Sequence, residues 1–403
     1  MMINLENISF DHCIKCTICT GYCPVAKVTH LYPGPKQSGP DLERLRIKNQ
    51  RLVDASLKYC NNCKRCEIAC PSDVKIADII GSAKWKYSKK KLSLRDFLLS
   101  RTDLMGRVST FFSPIVNFFT RLSVVKFFLD VFLNIPSKRK FPKYAYKTFR
   151  QWFSKNRDSQ ENFERKIVYF HGCYVNYNDH DLGKAAVAVL NALKIGVVIA
   201  REKCCGVPLI ANSYFKKACK NANHNIKTLG KAVESSDMKI ISSSSSCTFA
   251  LKYEYANLLE LDNSPIADRT EYITEIIYQE FEKGNIPKMK PVNIKAAYHA
   301  PCHLERMGSV IYTIGILKKI PGLELKLLHS ECCGMSGTYG FKKECYQISQ
   351  DIGSDIFKKI DKIKPDLVIT DCETCKWQIE ENTVYETIHP VTLLSRALEA
   401  NNS

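Results

Sequence analysis

Of the nineteen cysteines in this 403-residue chain, all but Cys219 and Cys345 fall into patterns that could do chemistry. Cys13, Cys16, Cys19 and Cys23, followed by Pro24, read C-x2-C-x2-C-x3-C-P, and Cys60, Cys63, Cys66 and Cys70, followed by Pro71, repeat the pattern. That spacing is the ligand run of a bacterial-ferredoxin [4Fe–4S] cluster. Structural zinc takes four ligands, usually as two separated C-x2-C pairs. It gives no reason for a third cysteine in register or for the proline. Two [4Fe–4S] clusters are therefore expected. The fourth cysteine of each run ligates the other cluster in two-cluster ferredoxins. The expected ligand sets are Cys13, Cys16, Cys19 and Cys70 for one cluster, and Cys60, Cys63, Cys66 and Cys23 for the other.

The other patterned cysteines form two sets at a constant offset. Cys173, Cys204, Cys205 and Cys247 recur as Cys302, Cys332, Cys333 and Cys375, with differences of 129, 128, 128 and 128. The second set adds Cys372 where the first has Ser244. A repeat this long, with chemistry in register, means two tandem modules rather than a solenoid. Five thiols at strand-to-loop junctions of a parallel sheet make a natural site, and the adjacent Cys332 and Cys333 suit a multinuclear iron–sulfur centre whose thiolates bridge irons. Tetrahedral zinc with a spare thiol, or a redox-active dithiol, are the alternatives. Cys173, Cys204, Cys205 and Cys247 could hold either iron–sulfur or zinc, because a serine hydroxyl is a far poorer iron ligand than a thiolate. His171, His299 and His303 lie beside the first cysteine of each module. They are expected to hydrogen-bond backbone near strand ends rather than tune a cluster or carry a quinone proton. Cys219 and Cys345 read as small buried hydrophobes on helices.

The elements that position these residues suggest an α+β multidomain protein. Residues 1–83 form a helical two-cluster ferredoxin domain, with a helix expected over Asp41 to Ser56 whose apolar side is Leu42, Leu45, Ile47, Leu52 and Val53. Residues 166–265 and 292–403 form two α/β modules in which short strand-like runs alternate with helices, and residues 266–291 link them. With 45% hydrophobic and 25% charged residues the composition is that of an ordinary globular protein. Met1 to Phe10 lacks the basic and apolar regions of a secretory signal, so reduced thiols on the cytosolic side are expected.

The charge is uneven. Net charge is +18, and residues 84–166 hold 20 Lys/Arg against 6 Asp/Glu, a net of +14. Lys84, Lys86, Lys89, Lys90, Lys91 and Arg95 precede an aromatic-rich apolar stretch, and Lys138, Arg139, Lys140, Lys143, Lys147 and Arg150 follow it. No uninterrupted apolar window is long enough to span a bilayer. Apolar helices with basic flanks suit lying in the membrane interface, against anionic lipid. Residues 84–165 are accordingly read as a membrane-association segment, with a buried helical hairpin or partner docking as alternatives. A nucleic-acid stripe does not need so many consecutive apolar residues, so no nucleic-acid partner is expected. No G-x-G-x-x-G follows a strand, so no dinucleotide site is expected either.

Several stretches resemble the C subunits of anaerobic glycerol-3-phosphate dehydrogenase, an iron–sulfur, Cys-Cys-Gly domain family. They are Tyr-Pro-Gly-Pro-Lys at 32–36, Tyr-Cys-Asn-Asn-Cys-Lys-Arg-Cys at 59–66, Thr-Asp-Leu-Met-Gly at 102–106, Cys-Cys-Gly-Val-Pro-Leu-Ile-Ala-Asn at 204–212 and Thr-Asp-Cys-Glu-Thr-Cys-Lys-Trp-Gln-Ile-Glu at 370–380. The resemblance implies flavoprotein subunits A and B that oxidise glycerol 3-phosphate, with this chain passing their electrons to quinone. It would do so from the cytoplasmic face of the inner membrane, as a peripheral anchor in anaerobic respiration, without acting on glycerol 3-phosphate alone. It also implies a noncubane [4Fe–4S] cluster on Cys302, Cys332, Cys333, Cys372 and Cys375, and carries over poorly to the first module because of Ser244. The wider Cys-Cys-Gly family raises two alternatives: heterodisulfide-reductase-like thiol/disulfide catalysis, and the iron–sulfur subunit of a glycolate or lactate oxidase. No catalytic residue is assigned.

Overall fold

The computed structural model describes residues 10–49, 52, 54–87, 93–234, 236–329 and 332–398. Val53, Lys89, Lys90 and Lys91 lie outside that set. Two four-stranded sheets organise the C-terminal two thirds. The first has β1 (Arg165–Tyr169), β2 (Ile195–Val198), β3 (Ile240–Ser242) and β4 (Thr270–Tyr272) in the order β2-β1-β3-β4. The second has β5 (Ile294–His299), β6 (Leu323–Leu328), β7 (Leu367–Thr370) and β8 (Thr387–Ile388) in the order β6-β5-β7-β8. Every pairing is parallel. Parallel strands need helical crossovers that cover both faces. Phe215–Val233 and Lys343–Ile363 are such crossovers, one per module.

Residues 266–291 do more than link the modules. Thr270–Tyr272 is the fourth strand of the first sheet and Ile273–Glu282 is a helix packed on the shared core. The register explains why the repeat hides this strand. Ile240 pairs with Thr270 and Val368 with Thr387, so the last strands are 117 apart rather than 128. One apolar core, including Leu190, Tyr272, Ile276, Leu317 and Leu394, runs between the two sheets.

The N-terminal part is helical: α1 (Ile18–Gly21), α2 (Pro24–Val28), α3 (Leu42–Lys48), α4 (Arg65–Ile68) and α5 (Ile76–Tyr87). The helix expected over Asp41 to Ser56 stops at Lys48, and its apolar side does not face inward. Leu45, Ile47 and Leu52 are exposed, while Glu43 and Arg46 are buried. Arg46 pairs with Glu43 at 2.8 Å and donates to the Ser38 carbonyl at 2.9 Å. A buried carbonyl must be paired, so the turn-rich stretch before α3 draws the guanidinium inward.

Four helices follow: α6 (Leu94–Ser100), α7 (Thr102–Phe111), α8 (Ser113–Phe119) and α9 (Ser123–Leu133). Gly106 lets α7 lie against the helix Gly172–Tyr177, since a Cβ there would stand 2.3 Å from the Tyr177 ring. The outer faces of α7 to α9 are bare. Phe111 is 80% exposed, Phe118 60% and Phe132 72%, and Phe112, Ile115, Phe119, Val124, Phe127, Phe128 and Val131 are also exposed. Among the described residues no helix is long and apolar enough to cross a membrane.

Part of the basic flank is structural. Arg139 is fully buried, donating to the Gly340 carbonyl at 2.7 Å, Gln378 at 2.7 Å and Glu381 at 2.9 Å. Arg95 makes a two-pronged pair with Glu344 at 2.7 and 2.9 Å, and Arg150 donates to the Ala200 carbonyl at 2.6 Å. Arg107, Arg121, Lys138, Lys143 and Lys147 remain exposed around the apolar face.

Candidate metal centres

Both ferredoxin runs are wound the same way. Lys15 and Thr17 in the first, and Asn62 and Lys64 in the second, take left-handed φ values of 60°, 65°, 57° and 64°. Side chains other than glycine persist there only where the surroundings over-determine the backbone. Two matching pairs, each flanking the second cysteine of its run, give a loop curled around a common centre. Each loop leads into a one-turn helix, α1 or α4, that carries the third cysteine.

Cys19 has Cys13, Cys16 and Cys70 among its neighbours, Cys23 has Cys60 and Cys19, and Tyr32 lies among Cys60, Cys23 and Cys66. Backbone N–H groups of Ala26 and Val74 point at the Cys23 and Cys70 sulfurs at 3.5 and 3.4 Å, an arrangement that tunes cluster potentials. Burial pushes the Cys23 thiol up to about 12. So buried a thiol does not ionise alone near neutrality and suits coordination by a cation. Free thiols, curled loops and N–H groups aimed at sulfur all fit iron–sulfur clusters.

In the second module the thiols gather where three strands end. Cys302 opens the helix after β5, Cys332 and Cys333 follow β6, and Cys372 and Cys375 follow β7. Gly334 (φ 85°) turns the chain beside them, and a Cβ there would stand 2.1 Å from the Ser349 carbonyl oxygen. The Cys302, Cys333 and Cys63 thiols crowd around Cys332 and, with the Gly334 N–H at 3.4 Å, hold it well below the ordinary thiol range. His299 joins the group: its ring nitrogen and the Cys333 and Cys375 sulfurs lie within 4.8 Å of one another. The sequence favours a backbone hydrogen bond near a strand end over tuning a cluster, and the structure places the ring among the thiols instead.

Cys63 belongs to the second ferredoxin run and packs in one buried cluster with Cys332, so the two domains meet at their thiols. Asn61 Nδ2 adds a contact to the Cys332 sulfur at 3.7 Å. No sequence signal points to this junction, because it spans more than 260 positions and follows from domain docking.

The first module holds fewer donors. Cys204 lies 4.0 Å from Cys173, and Cys247 lies 3.4 Å from Cys205. Ser244 accepts the backbone N–H of Cys247 at 3.3 Å, capping the helix that carries it, and donates to the Glu373 carboxylate at 3.3 Å. His171 bonds the Gly172 carbonyl at 2.7 Å, and His303 bonds Ser246 at 3.1 Å and the Asn62 carbonyl at 3.4 Å. Burial lowers His303 to about 4 and His171 to about 3. Cys345 is buried and Cys219 is half-buried.

Between the two modules and beneath α6 to α9 lies a cavity of about 340 Å³. Thiols of both modules line it, among them Cys173, Cys205, Cys247, Cys302, Cys332 and Cys372.

Paired parallel modules with thiols at their strand ends, joined to a two-run helical ferredoxin domain, define an iron–sulfur protein. A 4Fe-4S dicluster domain family matches residues 9–74, and a cysteine-rich domain family matches residues 167–252 and 296–380. The C subunit of anaerobic glycerol-3-phosphate dehydrogenase from Escherichia coli (strain K12) is 51% identical over 98% of this chain and 100% of its own length. The glycolate oxidase iron-sulfur subunit of the same organism is 24% identical over 96% of this chain and 94% of its own. The D subunit of dihydromethanophenazine:CoB–CoM heterodisulfide reductase from Methanosarcina barkeri is 28% identical over 53% of each. The chain belongs to the family of anaerobic glycerol-3-phosphate dehydrogenase C subunits.

Proposed function

We propose that the chain is the electron-transfer and membrane-anchor subunit of a glycerol 3-phosphate:quinone oxidoreductase. Flavoprotein subunits A and B would supply the electrons and quinone would accept them, with the chain lying peripherally on the cytoplasmic face of the inner membrane. In this reading Cys13, Cys16, Cys19 and Cys70 hold one [4Fe–4S] cluster, and Cys60, Cys63, Cys66 and Cys23 hold another. Cys302, Cys332, Cys333, Cys372 and Cys375 hold a noncubane one, and Cys173, Cys204, Cys205 and Cys247 hold iron–sulfur or zinc. Bound clusters supply one-electron carriers. The chain's own residues set their order. Cys16 is exposed, Cys63 touches Cys332, and the second module's thiols line the cavity under α7 to α9. That continuous series, from a surface thiol to a cavity under apolar helices, is the observation that carries the reading.

The anchor is tested with Phe111→Ser, Phe118→Ser and Phe132→Ser together, whose rings make little contact with the fold. Half-burying a Phe ring in lipid contributes about 1 kcal/mol, from 1.5–3 for full burial. The triple variant should lose about 3 kcal/mol, roughly a hundredfold in partition, in co-sedimentation with anionic vesicles. Binding that is undiminished, or indifferent to salt, would remove the anchor. Deleting residues 94–142 is a poorer test, because it removes the buried Ile135 and Arg139 with the helices.

A further inference from the structure

The cavity under the apolar helices has two unlike ends. Its roof is Leu98 of α6 and the inner side of the helices whose outer side is bare: Met105, Val116, Leu129 and Leu133. Its floor carries three polar atoms that the described residues leave open, Asn62 Oδ1 and one each on Ser245 and Glu254, and the last two residues can donate. Ser245 is fully buried, lines the cavity, and its hydroxyl has no partner among the described residues. Glu254, also buried, lines the same cavity. Its Oε1 accepts from Asn62 at 3.1 Å, and its Oε2 has no partner among the described residues. Buried polar atoms are otherwise nearly always paired, and each exception calls for an explanation. Both residues belong to one helical run that widens into a π turn over Ala250–Glu254, a feature frequent at functional sites.

Resting on the function proposed above, we propose that this cavity is the head-group site of an isoprenoid quinone. The Ser245 hydroxyl and the Glu254 carboxyl offer hydrogen bonds to the carbonyl oxygens, and the apolar inner faces of α7 to α9 receive the tail. Thiols assigned to clusters line one side of the cavity, so its volume of about 340 Å³ is shared between those clusters and the head group. Its lining is apolar toward the lipid-facing helices and polar beside the thiols, which matches a ligand with a greasy tail and two acceptor oxygens. Glu254 can donate because burial raises its carboxyl to about 7, against the opposing charge of Lys64 and with the support of Asp78 and Glu67. Of those neighbours Lys64 pairs with Asp78 and with Glu67, and Glu67 meets Arg306 at 3.3 Å, close to the solvent-facing Asp73. The carboxyl at the cavity therefore sits at the inner end of a charged chain that reaches water.

The test uses the holo chain purified anaerobically in detergent, with 2-methyl-1,4-naphthoquinone as the binding probe and an azido-quinone as the photolabel. Trp377 lines the cavity, so its fluorescence reports occupancy, and Trp377→Phe should abolish the quench. Glu254→Leu should weaken binding about tenfold, and Glu254→Gln, which keeps a donor, should restore most of it. The native protein should lose affinity as pH rises through about 7 while the Gln variant stays flat, a profile that a merely structural Glu254 would not produce. Leu129→Trp should block the roof, and Ser245→Ala should weaken binding a few-fold. Unchanged iron content and circular dichroism exclude misfolding. Photolabel on peptides from α7 to α9 and residues 245–254 would support the site. Label elsewhere, with quinone still reduced by the full complex, would overturn this site but leave the proposed function standing. No quinone bound or reduced by any route would overturn both.

Discussion

The two Cys-Cys-Gly modules repeat one plan, a cysteine-rich domain matched twice, and differ in the side chains at their strand ends. Tyr169 and Tyr298 hold equivalent places on β1 and β5, and so do Ser243 and Asp371 after β3 and β7. In the first module Tyr169 meets Ser243, hydroxyl to hydroxyl, at 2.7 Å. In the second, Tyr298 donates to the Asp371 carboxylate at 2.7 Å, and Tyr272 and Thr313 add bonds at 3.1 and 3.0 Å. The next position repeats the contrast: Ser244 in the first, the thiol Cys372 in the second. His171 bonds backbone, whereas its counterpart His299 stands among Cys333 and Cys375. The second module thus has the richer donor set and the contact to Cys63. The first has become a supporting partner that holds Glu373 through Ser244 and lends Tyr272 to Asp371. Duplicated scaffolds keep their strand ends and diverge in the side chains placed there.

The largest expected effect lies in the metal. Cys333→Ser should remove the iron of the second module as a unit, counted as iron and sulfide per chain with loss of its EPR signal. Cys205→Ser should leave that signal intact and change only the first module's metal, whether iron or zinc by elemental analysis. Ser244→Cys sharpens the contrast by giving the first module its fifth thiol. Added iron, and a signal like that of the second module, would show that one side chain separates the two sites. If Ser244→Cys changes neither metal nor spectrum, the difference lies in the whole donor geometry.

Backbone strain gives the next effect. Gly206 and Gly334 both have positive φ, at 98° and 85°. A Cβ on Gly206 would meet nothing nearer than 3.6 Å, whereas one on Gly334 would stand 2.1 Å from a backbone oxygen. Gly206→Ala should therefore cost only the left-handed penalty, about 1–2 kcal/mol. Gly334→Ala must also shift the helix carrying Ser349, for a total of about 4 kcal/mol or more by analogy with overpacked cores. Anaerobic urea unfolding of the two variants measures the difference. Equal losses would mean that the second loop relaxes freely.

Much of this is legible in the sequence, and what is not legible shares a physical cause. Cysteine spacing reads directly because ligands on one short loop must satisfy one small polyhedron. The 128-residue offset reads directly because duplicated strand ends carry duplicated thiols. The fourth strand hides because helical turns between Ser245 and Ala267 reset the offset before Thr270. The helix after Asp41 turns its other face inward because Arg46 follows unpaired carbonyls rather than apolar periodicity. Arg95, Arg139 and Arg150 count as lipid-facing charge in the sequence and as structural anchors in the fold. Composition cannot distinguish an exposed arginine from one buried against Gly340 or Glu344, since the partner lies some 200 or more residues away. The Cys63–Cys332 junction has the same origin: docking between domains leaves no local trace.

The smallest expected effect tests whether Asp371 makes the second module electrostatically different. Tyr169→Phe removes a hydrogen bond between two neutral groups, about 1 kcal/mol. Tyr298→Phe removes one to a buried carboxylate, about 1.5–3 kcal/mol. Burial raises Asp371 to about 6, and the bond from Tyr298 is the strongest influence pulling it back down. A carboxyl whose folded value lies above its unfolded one favours the folded state at low pH and loses that contribution as pH rises through the folded value. Removing the Tyr298 bond raises that value further, so Tyr298→Phe should be most destabilising near pH 8. It should approach Tyr169→Phe near pH 5, where Asp371 carries its proton in either case. Unfolding of both variants at the two pH values measures this. If both variants lost the same small amount at both pH values, Asp371 would stay neutral throughout, and the modules would then differ in thiols but not in charge.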